Sequence, residues 1–160
     1  MRILAFVLAA MVLAASQVSS VYGQTDPASY ASALSGMIQS PLCSSDNFAS
    51  GDASGDLSGS FVLAFDCQNG AISGGTWLVL VTTAAPDGTT EILGTIRGQV
   101  LHGSFEPVGD GARVIVRGVS LAITEGTGLY AGLVAGTGSL DATSDPEGAP
   151  QFTGTLGLSF

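Results

Sequence analysis

The residues best suited to acid–base chemistry are a histidine and a glutamate four positions apart, His102 and Glu106. His102 is the only histidine in the chain, so a serine-type catalytic triad would depend on it. The sequence lacks the Gly-x-Ser-x-Gly segment that presents a nucleophilic serine in many hydrolases. Residues four apart share one face of a β-strand, so His102 and Glu106 form a candidate acid–base pair. The alternative is an ordinary solvent-facing histidine on a strand.

Two arginines and one tryptophan are candidate ligand-binding residues. Arg97 and Arg117 could point into the interior of a barrel from facing strands, where a ligand carboxylate or Asp66 would compensate their charge. The alternative is that both arginines are solvated on the outside. Trp77 is either a core or rim residue or a platform for a ligand.

The two cysteines predict a disulfide rather than a metal site. Cys43 and Cys67 are the only thiols of the chain, and in an oxidising compartment they would pair with each other. A structural zinc site needs about four ligands, which one histidine and no Cys-x-x-Cys pair do not supply. The aspartates near Asp52 lack the spacing of a calcium-binding loop. We therefore expect no metal and no other cofactor.

The charge balance of the chain argues against nucleic acid as a partner. Acidic residues number 13 against 4 basic ones, which gives a formal net charge of −9. Binding to nucleic acid or to an anionic membrane surface relies on clustered Lys and Arg, and this chain has no lysine. We attribute the negative charge to solubility.

The N-terminal residues 1–23 predict export. Arg2 precedes an apolar run from Ile3 to Ala15, and a small, polar stretch then extends to Gly23, as in a secretory signal peptide. The apolar run is short for a membrane-spanning helix, so we expect no membrane attachment after cleavage. The protein is expected to be secreted, to an extracellular or periplasmic location, as one domain.

Residues 24–56 are predicted to precede the main domain as a helix and a polar loop. Tyr30, Leu34, Met37 and Ile38 fall on one helical face, behind an Asp-Pro pair that is typical of a helix start. The Ser- and Gly-rich stretch 44–58 is predicted to be a loop.

Residues 57–160 are predicted to form the main domain, made only of strands and turns. Phe61, Leu63, Phe65 and Cys67 share one side of a strand that ends at Asn69-Gly70, a strong hairpin signal. Similar segments recur at short spacing to the C-terminus, giving six to eight strands. The fold class is therefore all-β, as a sandwich or a small antiparallel closed barrel.

One segment resembles a known family. Residues 123–132, Ile-Thr-Glu-Gly-Thr-Gly-Leu-Tyr-Ala-Gly, followed by Gly136-Thr137-Gly138, are similar to the I-T-G-G-T-G-x-[FY]-A-G-A-x-G segment of dirigent and allene-oxide-cyclase-like proteins, including exported bacterial members. The resemblance implies an eight-stranded antiparallel barrel with Tyr130 packed inward. Glu125 and Leu129 depart from the family pattern. In an enzyme of this kind, Tyr130 would line a cavity together with Arg97 and Arg117.

Three functions are compatible with these observations. The first is a secreted, non-catalytic barrel whose interior holds a small hydrophobic molecule. The second is a dirigent-like or cyclase-like enzyme that acts by positioning its substrate. The third is a small outer-membrane barrel, suggested by the alternation of Phe152, Leu156 and Leu158 with polar residues, although such barrels carry aromatic girdles that this chain lacks.

Overall fold

The computed structural model describes residues 29–39, 43, 47–108, 113–144 and 151–160. These residues form eight strands and one short 3₁₀ turn. The strands are β1 (Ser29–Gln39), β2 (Asn47–Gly55), β3 (Gly59–Gln68), β4 (Ala71–Ala84), β5 (Thr90–Val108), β6 (Arg113–Gly126), β7 (Gly136–Ser144) and β8 (Gln151–Ser159). The 3₁₀ turn, Gly128–Tyr130, lies between β6 and β7.

The eight strands close into one antiparallel barrel in sequence order. Closure is made by β1 and β8, which pair from Ser29 opposite Ser159 to Met37 opposite Gln151. Each of the eight described strands therefore has a neighbour on both sides, an arrangement that protects strand edges from pairing with another chain. The prediction of a small closed antiparallel barrel is thereby confirmed, at eight strands.

The predicted N-terminal helix is wrong over the described residues, since Ser29–Gln39 is strand β1. Its predicted start at Asp26-Pro27 lies outside the described residues. Tyr30, Leu34 and Ile38 are spaced by four, an even number that places them on one face of a strand as well as of a helix. Met37 distinguishes a strand from the predicted helix. The helix would have placed Met37 on the buried face with Leu34 and Ile38, whereas in the strand it faces outward and is 53% exposed.

The predicted polar loop 44–58 is also wrong in its centre, where Asn47–Gly55 forms β2. The inward residues of β2 include Ala49 and Ala53, both buried, and its outward residues include Ser50 and Asp52. With alanine as the inward residue, the strand has little of the apolar alternation that marks a strand in a sequence. Two strands of the barrel, Ser29–Gln39 and Asn47–Gly55, therefore precede residue 57, where the main domain was predicted to begin.

The interior of the barrel is filled by alternate side chains of all eight strands. Phe61, Leu63, Phe65 and Cys67 all point inward from β3, as predicted, and are at most 5% exposed. On β8, Phe152, Leu156 and Leu158 point inward and are buried, while the residues between them face out. A transmembrane barrel has the reverse arrangement, with its apolar side chains toward lipid. Within the ranges given above, no helix is long and apolar enough to cross a bilayer.

Trp77 is a core residue, and its position depends on a glycine in the neighbouring strand. Trp77 on β4 is 5% exposed and lies opposite Gly98 on β5. Its indole nitrogen passes over Gly98 and donates to the Ala122 carbonyl oxygen of β6 at 3.3 Å. A Cβ at Gly98 would overlap that oxygen and lie 2.8 Å from Trp77 Nε1. Glycine is thus required where the aromatic ring approaches the backbone.

The predicted disulfide between Cys43 and Cys67 is present, with the two Cα atoms 4.9 Å apart. It ties the connection between β1 and β2 to the end of β3. The Gly70 amide, in the tight turn between β3 and β4, donates to Cys43 Sγ at 3.2 Å. Three connected segments at one end of the barrel are therefore held together.

We expect Gly98→Ala to lower the free energy of unfolding by about 2 kcal/mol, because the added Cβ must displace Trp77 and the β6 backbone. Chemical denaturation measures this. The matched control is Gly74→Ala on β4, where the nearest atom to an added Cβ is 4.0 Å away. Equal effects of the two substitutions would contradict the account of the Trp77 packing.

We expect the double variant Cys43→Ala/Cys67→Ala to lose about 3.5 kcal/mol of unfolding free energy, because the link no longer restricts the unfolded chain. Urea denaturation in the presence and absence of a reductant measures this loss. Reductant should lower the stability of the natural protein and leave that of the double variant unchanged. A double variant as stable as the oxidised protein would refute a stabilising role for the disulfide.

Candidate functional site

The barrel interior does not contain a ligand cavity among the described residues. The larger of two small interior spaces measures about 20 Å³ and is lined by apolar side chains such as Ile38, Leu63 and Val116. The other measures about 10 Å³. Pockets for organic ligands are typically about 300–1,000 Å³, so these spaces are packing defects.

His102 and Glu106 are both exposed on the outer face of β5. The pairing of β5 with β6 is irregular on both sides of His102, and no hydrogen bond joins His102 to Glu106 within the described ranges. The Ser104 hydroxyl instead donates a hydrogen bond to Glu106 Oε1 at 3.4 Å. The structure therefore does not assemble an acid–base pair from these two residues.

Arg97 faces outward from β5 and forms an ion pair with Glu125 of β6. Arg97 Nε donates to Glu125 Oε2 at 2.9 Å, and the two side chains are 57% and 44% exposed. Arg117 is also exposed, on β6. The structure thus places both arginines outside the barrel, which is the solvated alternative, and neither points into the interior.

Tyr130 covers the end of the barrel where β1 begins and β8 ends. Its ring is edge-to-face with Tyr30, with 6.1 Å between centroids, and Tyr30 packs in the same way on Phe160. The pKa of Tyr130 is raised above its usual range, mainly by partial burial and to a smaller extent by the nearby Tyr30. Tyr130 is packed against the apolar core, where it closes one end of the barrel without lining a ligand cavity.

Two adjoining depressions lie on the outer surface, across β6, β7 and β8. One measures about 500 Å³ and has Arg113 and Arg117 on one side and Thr143, Thr153 and Thr155 on the other. It shares Arg113, Thr143 and Thr153 with a second depression, of about 710 Å³, that continues across β1 and β2. We call the two together the outer trough.

The register of the strands explains how the outer trough is lined. Val114 and Val116 are buried, so Arg113 and Arg117, at odd positions of β6, are exposed on its outer face. Across the sheet, Thr143 of β7 lies opposite Thr153 of β8. The threonines of β7 and β8 thus form a hydroxyl floor beside the two arginines.

A β-bulge in β6 fixes the acidic residue of the outer trough. The pairing of β6 with β7 shifts between Val116 and Val119, and Gly118 adopts a positive φ of 58° there. Its amide donates to Asp141 Oδ1 at 2.8 Å. Asp141 therefore has a backbone partner, and it forms no ion pair with either arginine in the described part of the chain.

The electrostatics of the outer trough are unusual for this protein. After residue 23 the chain has three arginines and no lysine, and Arg97 is neutralised by Glu125. In the described ranges, neither Arg113 nor Arg117 has a carboxylate within ion-pair distance. Asp52 and Asp141 line the same trough without pairing with an arginine there, so both guanidinium groups are available, beside hydroxyl groups, to bind anionic groups. Within the same ranges no three His, Cys, Asp or Glu side chains converge on a metal site.

Arg113 is the trough residue that is absent from the candidates drawn from the sequence. It lies four residues before Arg117, with Val114 and Val116 at the alternate positions between them, and this alternation is the signal that would have placed it beside Arg117. The sequence did not show that threonines of β7 and β8 lie next to the two arginines, because that follows from the closure of the sheet.

Comparisons with family models, with curated proteins and with solved structures found no match to this chain. The eight-stranded barrel that the dirigent-like segment implies is present, while membership of that family stays a prediction.

Proposed function

We propose that this protein is an exported, non-catalytic β-barrel that acts by binding through its outer surface. The observation that carries the proposal is the interior filled by buried side chains of the described strands, in which the spaces found are of about 20 and 10 Å³. A ligand bound inside would have to displace core side chains such as Phe65 and Leu140, and protein cores are packed too densely to allow this at low cost. Binding is therefore assigned to the outside.

Two further observations support export and the absence of catalysis. The disulfide between Cys43 and Cys67 is consistent with an oxidising compartment, as is the predicted signal peptide. The residues most suited to acid–base chemistry, His102 and Glu106, are solvent-exposed strand residues with no cavity around them. A dirigent-like enzyme would need a cavity in which to fold its substrate, and the described residues do not form one inside the barrel.

Small apolar probes test the filled interior. We expect neither benzene nor a fatty acid to raise the melting temperature of the natural protein, because no apolar cavity can accept them. The positive control is Leu63→Ala, which enlarges the interior space and should cost about 2–5 kcal/mol. Benzene should then raise the melting temperature of that variant. A probe-induced rise in the natural protein would restore the lumen-binding hypothesis.

Export is tested by expressing the chain with its natural N-terminus in a bacterial host. We expect the protein outside the cytoplasm, beginning close to Gln24 and without free thiols, as measured by N-terminal sequencing and by thiol labelling. A chain that lacks residues 2–23 is the control and should stay in the cytoplasm. Recovery of the natural protein in the cytoplasm with Met1 intact would contradict export.

A further inference from the structure

The outer trough is long as well as polar. It crosses five neighbouring strands in the order β6, β7, β8, β1 and β2, and at about 4.8 Å between strands this corresponds to about 19 Å. Its two arginines lie four residues apart on β6, which is about 13 Å along a strand. A ligand that uses the whole trough is therefore extended and carries more than one anionic group.

We propose that the outer trough binds an acidic polysaccharide, with its carboxylate or sulfate groups on Arg113 and Arg117 and its hydroxyls on the threonine floor. An arginine guanidinium pairs with a carboxylate or sulfate through two parallel hydrogen bonds. The Ser and Thr hydroxyls of β7, β8 and β1 can each donate and accept, as the hydroxyl groups of a sugar require. This inference rests on the proposed function, since it assumes that the outer surface is the binding surface.

The positions of the acidic residues in and beside the trough determine the orientation of the bound ligand. Asp52 lies on β2, at the opposite end from the arginines, and is paired across the sheet with Ser35. Asp141 lies beside β6, with one oxygen bonded to the Gly118 amide, and Glu106 borders the trough opposite Ile115. One oxygen of Asp141 is occupied by that amide and one of Glu106 by the Ser104 hydroxyl, so the arginines are left to hold the anionic groups. The neutral, hydroxylated part of the ligand extends toward β1 and β2, past Asp52.

The lining of the trough argues against nucleic acid as the occupant. Proteins that hold single strands stack the bases on aromatic side chains, and the single aromatic residue of the outer trough, Phe152, is a buried core residue. Double-stranded binding relies on many closely spaced phosphate contacts, whereas the outer trough offers two arginines. A sugar polymer with spaced charges fits two arginines and a hydroxyl floor.

Native electrophoresis through gels that contain a polysaccharide tests the proposal with the mature chain. Because the protein is acidic, an anionic polymer should retard it only through a specific site. We expect polygalacturonate or dextran sulfate to retard the protein, and neutral dextran to leave its migration unchanged. The first two polymers separate carboxylate from sulfate as the preferred group.

Arg113→Gln/Arg117→Gln should weaken that binding about a hundredfold, because each arginine that pairs with an anionic group strengthens binding about tenfold. The matched control is Arg97→Gln, which removes the same charge from an exposed pair outside the trough and should bind within about twofold of the natural protein. Unchanged melting temperatures would show that the variants are folded.

The outcomes separate the two proposals. Retardation by a charged polysaccharide that depends on Arg113 and Arg117 supports the inference. No retardation by either charged polymer, equal weakening in Arg97→Gln, or equal binding of oligo-deoxythymidine would overturn it. None of those three results would affect the proposed function, which fails only if an apolar probe enters the interior or the chain is not exported.

Discussion

The structure depends on the closure of a sheet around its own side chains. An eight-stranded barrel has an interior just wide enough for side chains or for one small ligand, and here the side chains fill it. Phe61, Phe65, Phe105 and Trp77 all lie inside. Two aromatic contacts, Phe61 with Phe152 and Phe65 with Phe105, join strands that are not neighbours in the wall. Because side chains fill the interior, we propose that recognition takes place on the outer surface.

Closure also explains the glycine content of the chain. Several strands carry a glycine at which a Cβ would overlap a carbonyl oxygen of the neighbouring strand, among them Gly51, Gly59, Gly75 and Gly98. Small barrels need strongly coiled strands, and glycine permits the bends and close approaches that coiling requires. The same constraint places Trp77 over Gly98, so packing inside and curvature of the wall are coupled.

The strands could be predicted where their inward residues were large. The prediction failed where the inward residues were small. The apolar series on β3 and the Asn69-Gly70 turn, in which Asn69 adopts a positive φ of 50°, indicated a hairpin directly. On β2 the inward alanines gave no such contrast. On β1 a four-residue spacing fitted helix and strand equally. Arg97 and Arg117 could be assigned to strands, but the irregular pairing of β5 with β6 and the neighbours of each strand were not readable from the chain.

Methyl NMR of the protein under xenon pressure tests the central claim most directly, because xenon enters dry apolar cavities in proteins. The account predicts that the methyl resonances of Leu63, Val116 and Leu140, which line the space of about 20 Å³, show no saturable change. Saturable shifts of these methyl groups would reveal a cavity inside the barrel, and would contradict the assignment of binding to the outer surface.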